Sequence, residues 1–354
     1  MIEQFFYSYK FLLLFFLSFL ITVLITRLFI LLEKKINILD YPNHRKLHGK
    51  NISLIGGICI VFSMLISITF IYFINNNALF IYNDYIALSF IIVLLSGFID
   101  DKYGLNVIPK LFFQFVAAII LVFNIDYIYT FNWNFLLFFD NIFFSNIISI
   151  LFIVLVINAM NFIDGLDGLL LGISISIIVL FLLILWYYSL NTIMLLLIIL
   201  LGSLIAMWIY NKYPAIIFLG DLGSMILGWF FALFSFYFAS YMDSDKILIP
   251  IILLAFPILD LFAVVFIRFH ENDLPFFKKA INIFVSDRNH IHHIILNKFE
   301  IEQKVVYLIC IASLFTSLVS FLFCLYVNNF IYGLLISLCL FLFFRKKSKS
   351  NKSY

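Results

Sequence analysis

Long apolar runs recur along the whole chain and restrict it to one class of fold. Of its 354 residues, 65% are hydrophobic and 12% are charged, whereas about a quarter of the residues in soluble domains are charged. Apolar runs of about 18 residues or more are long enough to cross a bilayer as helices. We therefore predict one domain over residues 1–354, an all-α polytopic membrane protein with about eleven transmembrane helices. The predicted spans are 8–32, 54–74, 85–99, 109–125, 146–160, 169–188, 192–210, 222–240, 246–267, 305–327 and 329–344.

The basic residues indicate how the spans are oriented. If the N-terminus lies outside, 19 of the 22 Lys and Arg residues fall in inner loops or in the tail, as expected for cytoplasmic segments. The C-terminus is then cytoplasmic. The aromatic stretch 126–145 is broken by polar residues, and we interpret it as an interfacial segment. The alternative, a further span there, would change the topology.

The stretch 158–169 places polar side chains at the end of an apolar run. Four of them repeat every three residues, namely Asn158, Asn161, Asp164 and Asp167. A helix would present all four on one broad face, and ionisable groups at a bilayer margin usually face a cavity or a partner. Gly165 allows a close approach of the backbone to a ligand. The alternative is a polar helix end that only solvates a loop.

Two adjacent carboxylates, Asp100 and Asp101, follow the predicted span 85–99. Adjacent carboxylates are costly unless a metal or a cation pairs with them. We expect one to bind Mg²⁺ and the other to act as a base. The alternative is that Lys102 neutralises one of them.

Three more polar features interrupt the second half of the chain. Asp221 lies in a Gly-Asp-Leu-Gly-Ser turn, where a new helix would offer backbone N–H groups to phosphate and a carboxylate to a metal. A later segment carries three histidines that suit metal or phosphate contact, His290, His292 and His293. We interpret Asp260, inside an apolar run, as paired with a basic group across helices, with a position lining the cavity as the alternative.

The basic loop 40–48 contains Arg45 and Lys46, which can hold phosphate groups as a fork and as a point charge. The alternative for this loop is a positively charged anchor at the level of the lipid headgroups.

All of these stretches except Asp260, which lies within a predicted span, fall on the predicted cytoplasmic side. A transporter is expected to place charges near the bilayer midplane, whereas an enzyme that joins a cytosolic donor to a lipid acceptor would gather them at one face. Carboxylates, cations and glycine turns together suit a Mg²⁺-assisted phosphoryl transfer. The loops expected to form the active site are 33–53, 100–110, 158–168, 211–221 and 268–304.

Five motifs in this order resemble those of the polyprenyl-phosphate N-acetylhexosamine-1-phosphate transferases (glycosyltransferase family 4), in the WecA/TagO-like branch. They are DYPNHRKLH (40–48), GFIDDKYGL (97–105), NAMNFIDGLDGL (158–169), NKYPAIIFLGDLGS (211–224) and DRNHIHH (287–293). The resemblance implies an MraY-like fold in the bacterial cytoplasmic (inner) membrane, with the active site facing the cytoplasm. It also implies transfer of a sugar 1-phosphate from a UDP-sugar to undecaprenyl phosphate, which releases UMP, needs Mg²⁺ (with Mn²⁺ as a substitute) and initiates synthesis of an envelope polysaccharide.

The resemblance also implies roles for individual residues. Asp221 resembles the Mg²⁺ ligand, and Asp100 and Asp101 resemble a pair near the metal and the acceptor phosphate. The expected catalytic residues are Asp100, Asp101, Asp164, Asp167, His292 and His293. The expected substrate-binding residues are Asn43, Arg45, Lys46, His48, Asn158, Asn161, Gly165, Asn211, Phe218, Arg288 and His290. Among these, Asn211 and Phe218 resemble residues near the uracil.

The His-Ile-His-His form resembles the branch that uses UDP-GlcNAc, so GlcNAc is the expected sugar. Ser53 stands where the family usually has Pro, whose fixed φ would stiffen the loop. The expected partners are a UDP-N-acetylhexosamine, undecaprenyl phosphate and membrane lipid, with no nucleic acid and with a homodimer left open. The alternatives are a phospho-MurNAc-pentapeptide transferase, a UbiA-like prenyltransferase and, from a different class, a polytopic transporter.

Overall fold

A computed structural model describes residues 2–36, 38–40, 51–75, 83–124, 142–241, 248–271, 290–299, 301–327 and 330–349. Within these ranges the chain forms helices and one short β-ribbon. In chain order the elements are α1 (Ile2–Ile36), β1 (Leu39–Asp40), β2 (Ile52–Ser53), α2 (Gly56–Asn75), α3 (Asp84–Tyr103), α4 (Val107–Asn124), α5 (Ile142–Ile163), α6 (Leu169–Tyr187), α7 (Asn191–Asn211), α8 (Gly220–Ser240), α9 (Leu248–Leu253), α10 (Ala255–Glu271), α11 (Ile291–Phe299), α12 (Glu302–Val327) and α13 (Phe330–Lys349).

Seven of the described helices are long and apolar enough to cross a membrane, namely α1, α4, α5, α6, α7, α8 and α12. The protein is therefore an all-α polytopic membrane protein, as predicted. A described helix overlaps each of the eleven predicted spans, but the count of eleven and the orientation remain predictions. Helix α5 begins at Ile142, inside the stretch predicted to be interfacial, and residues 125–141 lie outside the described part.

Helix α8 is the buried centre of the fold. Every residue from 222 to 239 on this helix is buried, and α2, α3, α5 and α9 pack around it. A helix that is apolar on all sides is stable only when other protein elements or lipid cover it on every side, and here helices provide much of that cover. The position of α8 therefore determines where the residues at its ends can lie.

Small residues let the neighbouring backbones approach α8 closely. A Cβ atom on Gly57 of α2 would overlap the backbone of Gly223, and a Cβ on Gly228 would overlap the Cα of Ile157 in α5. Membrane helices use small residues in this way because van der Waals contact, rather than the hydrophobic effect, drives their association. The glycines thus set the distances from α8 to α2 and α5.

A short ribbon ties the loop before α8 to the start of α2. Strands β1 and β2 pair antiparallel. The carbonyl of Ser53 accepts the N–H of Phe218 at 2.9 Å, and the carbonyl of Phe218 accepts the N–H of Gly56 at 2.9 Å. Ser53 itself is buried. These backbone bonds hold the segment around Ser53.

Gly228→Val should lower the midpoint of thermal unfolding in detergent, because the new side chain forces α5 away from α8. Overpacking a well-packed core costs about 1–3 kcal/mol. Leu183→Val is the control, because Leu183 on α6 is 55% exposed and its trimming should leave the midpoint unchanged. Equal midpoints for Gly228→Val and the parent protein would contradict the close α5–α8 contact.

Candidate active site

A cavity of about 500 Å³ lies among the ends of α3, α4, α5 and α8 and the histidine segment at α11. Nine of the predicted site residues line it, namely Asp100, Asn158, Asn161, Asp164, Gly165, Asp221, His290, His292 and His293. These residues come from four of the five predicted motifs, so the fold brings together positions almost 200 residues apart. The cavity is therefore the candidate active site.

A lysine that the sequence analysis did not single out lies at the centre of the cluster. Lys110 Nζ is 2.7 Å from Asp100 Oδ2 and 2.7 Å from Asp221 Oδ1. It also donates to Asn161 Oδ1 at 3.2 Å. One ammonium group thus joins α3, α4, α5 and α8 and offsets the repulsion between two carboxylates.

The sequence did contain a signal for Lys110. It lies in the first turn of the apolar helix α4, where an isolated charge is costly and is expected to pair or to face a cavity. Lys102, the alternative partner for the carboxylates, is exposed, and its Nζ lies over the ring of Tyr103. The cation that pairs with Asp100 is therefore Lys110, and the interpretation based on Lys102 is wrong.

Amide side chains complete the polar wall formed by α5. The Nδ2 of Asn161 donates to Asp221 Oδ1 and, at 2.7 Å, to Ser224 Oγ. The Nδ2 of Asn158 donates to Gln114 Oε1 on α4 at 2.6 Å. Both asparagines are therefore held in defined orientations by neighbouring helices.

Asp101 makes different contacts from its neighbour Asp100. Its Oδ1 accepts the N–H of Asp221 at 2.6 Å and its Oδ2 accepts the N–H of Leu222 at 3.1 Å. The carboxylate therefore caps α8 from another helix, a favourable place for negative charge. The prediction that these N–H groups receive phosphate is wrong, because Asp101 already occupies them. Asp101 is also absent from the cavity lining.

The turn after α5 divides the four regularly spaced polar residues. Helix α5 ends at Ile163, so Asp164 still faces the cavity while Asp167 does not share its face. The Oδ2 of Asp167 accepts the N–H of Ala215 at 2.8 Å, and the N–H of Asp167 donates to Glu302 Oε1 at 2.8 Å. The prediction of one common face is wrong for Asp167, because the helix does not continue that far.

Asn211 and Phe218 also lie behind the cavity wall rather than on it. The side chain of Asn211 accepts the N–H of Gly168 at 3.1 Å and donates to the carbonyl of Ile217 at 2.9 Å. Together with Asp167 it fastens the turn after α5 to the loop before α8. Five predicted substrate-binding residues lie outside the described part of the chain, namely Asn43, Arg45, Lys46, His48 and Arg288.

Three stacked rings line another part of the cavity. Phe162 stacks on His290 with ring centroids 5.4 Å apart, and His290 stacks on His292 at 5.6 Å. A Cβ atom on Gly165 would overlap His292 Nε2, so the ring packs where only glycine leaves room. The absence of a side chain at Gly165 therefore serves the packing of a histidine.

The protein environment shifts the pKa of two groups in the loops around the cavity. Desolvation by burial, followed by the charges of Asp221 and Asp167, raises the pKa of Asp164 to about 8. Desolvation, followed by the neighbouring His293 and His290, lowers the pKa of His292 well below its usual value. At neutral pH Asp164 is therefore mostly protonated and His292 is uncharged.

The carboxylates of the cavity fit a magnesium ion that is shared with a substrate. Among the described residues, no group of three or more His, Cys, Asp or Glu side chains is arranged to hold a metal. Mg²⁺, however, is usually bound by one or two carboxylates together with substrate phosphates. Asp100 and Asp221 provide such a pair, and the side chain of Asp221 is 37% exposed. Asp101 fits less well because it does not line the cavity. Occupied oxygens alone do not distinguish the pair, since Asp100 Oδ1 accepts the N–H of Leu105 at 2.7 Å and its Oδ2 contacts Lys110.

Comparisons with known proteins agree with this arrangement. The model of glycosyl transferase family 4 matches residues 84–239, which hold Asp100, Lys110 and Asp221. This part of the chain belongs to glycosyl transferase family 4. The family assignment made from the motifs is thus confirmed.

Several relatives match the chain over most of its length. A Bacillus subtilis protein named probable undecaprenyl-phosphate N-acetylglucosaminyl 1-phosphate transferase is 29% identical over 79% of this chain and 75% of its own. The Escherichia coli K12 undecaprenyl-phosphate alpha-N-acetylglucosaminyl 1-phosphate transferase is 25% identical over 80% and 76%. A phospho-N-acetylmuramoyl-pentapeptide-transferase of Dictyoglomus thermophilum is 32% identical, but over only 42% of this chain and 50% of its own.

Asp101→Asn should loosen the first turn of α8. The asparagine amide nitrogen cannot accept a hydrogen bond, so one of the two capped N–H groups loses its partner at a cost of about 0.5–2 kcal/mol. The measurement is hydrogen–deuterium exchange of peptides that cover residues 220–226, which should exchange faster. Asp84→Asn, at an exposed position in the first turn of α3, is the matched control. Unchanged exchange in Asp101→Asn would contradict the capping role.

Proposed function

We propose that this chain transfers GlcNAc 1-phosphate from UDP-GlcNAc to undecaprenyl phosphate and releases UMP. The reaction would take place at the cytoplasmic face of the bacterial inner membrane and would initiate an envelope polysaccharide such as O-antigen, common antigen or teichoic acid. The relatives that match about four fifths of the chain bear the names of GlcNAc 1-phosphate transferases, which favours this donor over UDP-MurNAc-pentapeptide.

The observation that carries the proposal is the cluster in which Lys110 lies 2.7 Å from both Asp100 and Asp221. It borders a cavity that histidines also line. Phosphoryl transfer needs concentrated positive charge and firmly placed ligands, because charge spreads over the phosphate oxygens in the transition state. This cluster supplies one cation and two carboxylates that suit a second cation.

In the proposed reaction an oxygen of undecaprenyl phosphate attacks the phosphorus that carries the sugar. The bond from that phosphorus to the bridging oxygen breaks, and UMP leaves with the electron pair. The acceptor needs little help from a base, because the second pKa of such a monoester is about 6. Bound Mg²⁺ would offset negative charge on the phosphates.

The chain's own residues would then bind and orient the two substrates. We propose Asp100 and Asp221 as the Mg²⁺ ligands, with Lys110 holding both carboxylates in place. Asp164, mostly protonated at neutral pH because burial raises its pKa to about 8, can donate a hydrogen bond to a phosphate oxygen. The uncharged His292 would orient the donor through a hydrogen bond rather than through a charge.

Other predicted residues remain part of the proposal. Asn211 and Phe218 are placed near the uracil on the strength of the motif resemblance alone. The same holds for the residues proposed to grip the phosphates, namely Asn43, Arg45, Lys46, His48 and Arg288. Asp167 would support the nucleotide site from behind, through the turn that it fastens.

The first test is release of UMP by the purified protein in detergent with undecaprenyl phosphate, Mg²⁺ and UDP-GlcNAc. Asp221→Asn should lose turnover while its unfolding midpoint remains unchanged, because a neutral amide binds Mg²⁺ far more weakly than a carboxylate. Parallel reactions with UDP-GalNAc and UDP-MurNAc-pentapeptide identify the donor. Turnover with UDP-MurNAc-pentapeptide alone would replace the proposed donor, and no UMP with any donor from folded protein would contradict the proposed reaction.

Lys110→Met should lower kcat by a factor of about 10²–10³, the usual loss when a preorganised group that stabilises developing charge is removed. Lys102→Met is the matched control, since Lys102 is an exposed lysine a few residues away, and its kcat should equal that of the parent protein. A Lys110→Met protein with the parental kcat would remove Lys110 from the reaction.

A further inference from the structure

A second buried charge cluster lies behind the histidine segment, and the proposed reaction does not use it. Asp260 on α10 accepts a hydrogen bond from His290 Nδ1 at 2.9 Å through its Oδ2. Its Oδ1 accepts the N–H of Ile291 at 3.0 Å and Arg345 Nη1 at 3.1 Å. Asp260, His290 and Arg345 are all buried. The interpretation that Asp260 pairs with basic groups across helices is therefore confirmed.

The cluster determines which nitrogen of the His290 ring faces Asp260 with a proton, and therefore how the ring is oriented. A carboxylate can only accept hydrogen bonds, so the proton that faces Asp260 must be on Nδ1. Nε2 then points away from Asp260. His290 lines the cavity, and within the described part of the chain its buried Nε2 has no hydrogen-bond partner. Buried polar atoms in native proteins nearly always have a partner, so this atom is suited to a ligand.

Arg345 explains how Asp260 can remain buried as a carboxylate. The arginine comes from the last helix, α13, and its side chain compensates a charge that would otherwise be costly inside the protein. Arg345 and the N–H of Ile291 share Oδ1, whereas His290 Nδ1 bonds to Oδ2. The two basic partners therefore do not compete for the same oxygen.

We infer that Asp260 is a positioning residue, held by Arg345, that directs the second N–H of a His290 imidazolium, on Nε2, towards a phosphate-bearing ligand in the cavity. The inference rests on the proposed function, which supplies that ligand as the diphosphate of a UDP-sugar. Carboxylates that fix a functional histidine in this way contribute about 10–100-fold to affinity or activity at metal sites. The fixed ring orientation applies here too, but a phosphate oxygen only accepts hydrogen bonds, so Nε2 has to carry a second proton and donate a hydrogen bond.

Asp260→Asn should lower kcat/KM for the UDP-sugar by about 10–100-fold, since the asparagine amide offers one acceptor oxygen where the carboxylate offers two. The decisive comparison is a double-mutant cycle with His290→Ala. If Asp260 acts through His290, adding Asp260→Asn to His290→Ala should cause no further loss, because coupled residues are non-additive. A further loss of about tenfold or more in the double mutant would overturn the inference.

Two additional variants separate positioning from folding. Ser337→Ala removes a buried hydrogen bond of α13, from Ser337 Oγ to Ser320 Oγ at 2.9 Å, without touching the cluster, and it should leave kcat/KM unchanged. If Asp260→Asn does not fold, Arg345→Lys replaces it in the cycle, because lysine keeps the charge and loses the planar fork. It should then lower kcat/KM in the parent background and have no effect on His290→Ala.

A binding measurement distinguishes this inference from the proposed reaction. If the parent protein releases no UMP, the proposed function fails, and the inference is then tested by the shift in unfolding midpoint that UDP produces. A shift in the parent protein that shrinks equally in Asp260→Asn and His290→Ala supports the inference. An equal shift in all three proteins overturns it, and so does the lack of any shift in the parent protein.

Discussion

A helix buried on every side still begins with backbone N–H groups that need hydrogen-bond acceptors. For α8, the two carboxylate oxygens of Asp101 are the acceptors of two of these groups. Leu219, the residue before this helix, makes no capping bond through its side chain. The cap has to come from the end of α3 instead. Because one of the capped N–H groups belongs to Asp221, the same bond that completes the central helix also fixes the backbone of a cavity residue. The stability of the core and the geometry of the candidate active site thus share one interaction.

Two further charge clusters follow one rule, that a carboxylate in apolar surroundings is retained where a cation meets it. Lys110 meets Asp100 and Asp221 within the cavity, and Arg345 meets Asp260 behind it. The two clusters differ in whether a substrate can reach them. The first borders open space where a substrate and a metal can enter, whereas the second is closed and acts on the cavity only through the ring of His290.

Much of the fold could be predicted because a membrane helix is recognisable in the sequence as a continuous apolar run. A described helix overlaps each predicted span, and the motifs at the span ends supplied nine of the residues that line the cavity. The errors came from local extrapolation. Asp167 was placed on a helix that ends at Ile163, and the N–H groups at the start of α8 were assigned to phosphate although a carboxylate from another helix occupies them.

The sequence by itself determined the membrane class, the helices and the chemical inventory, because hydropathy and residue type are properties of single positions and short windows. Only the tertiary structure decided which charged side chains form pairs. Lys110 and Asp221 are 111 residues apart in the chain, and Asp260 and Arg345 are 85 apart, so no local pattern records their contact. Packing of α10 against α13 sets the second pair, and helix packing around α8 sets the first. It also separates Asp100, which faces the cavity, from its neighbour Asp101, which caps a helix.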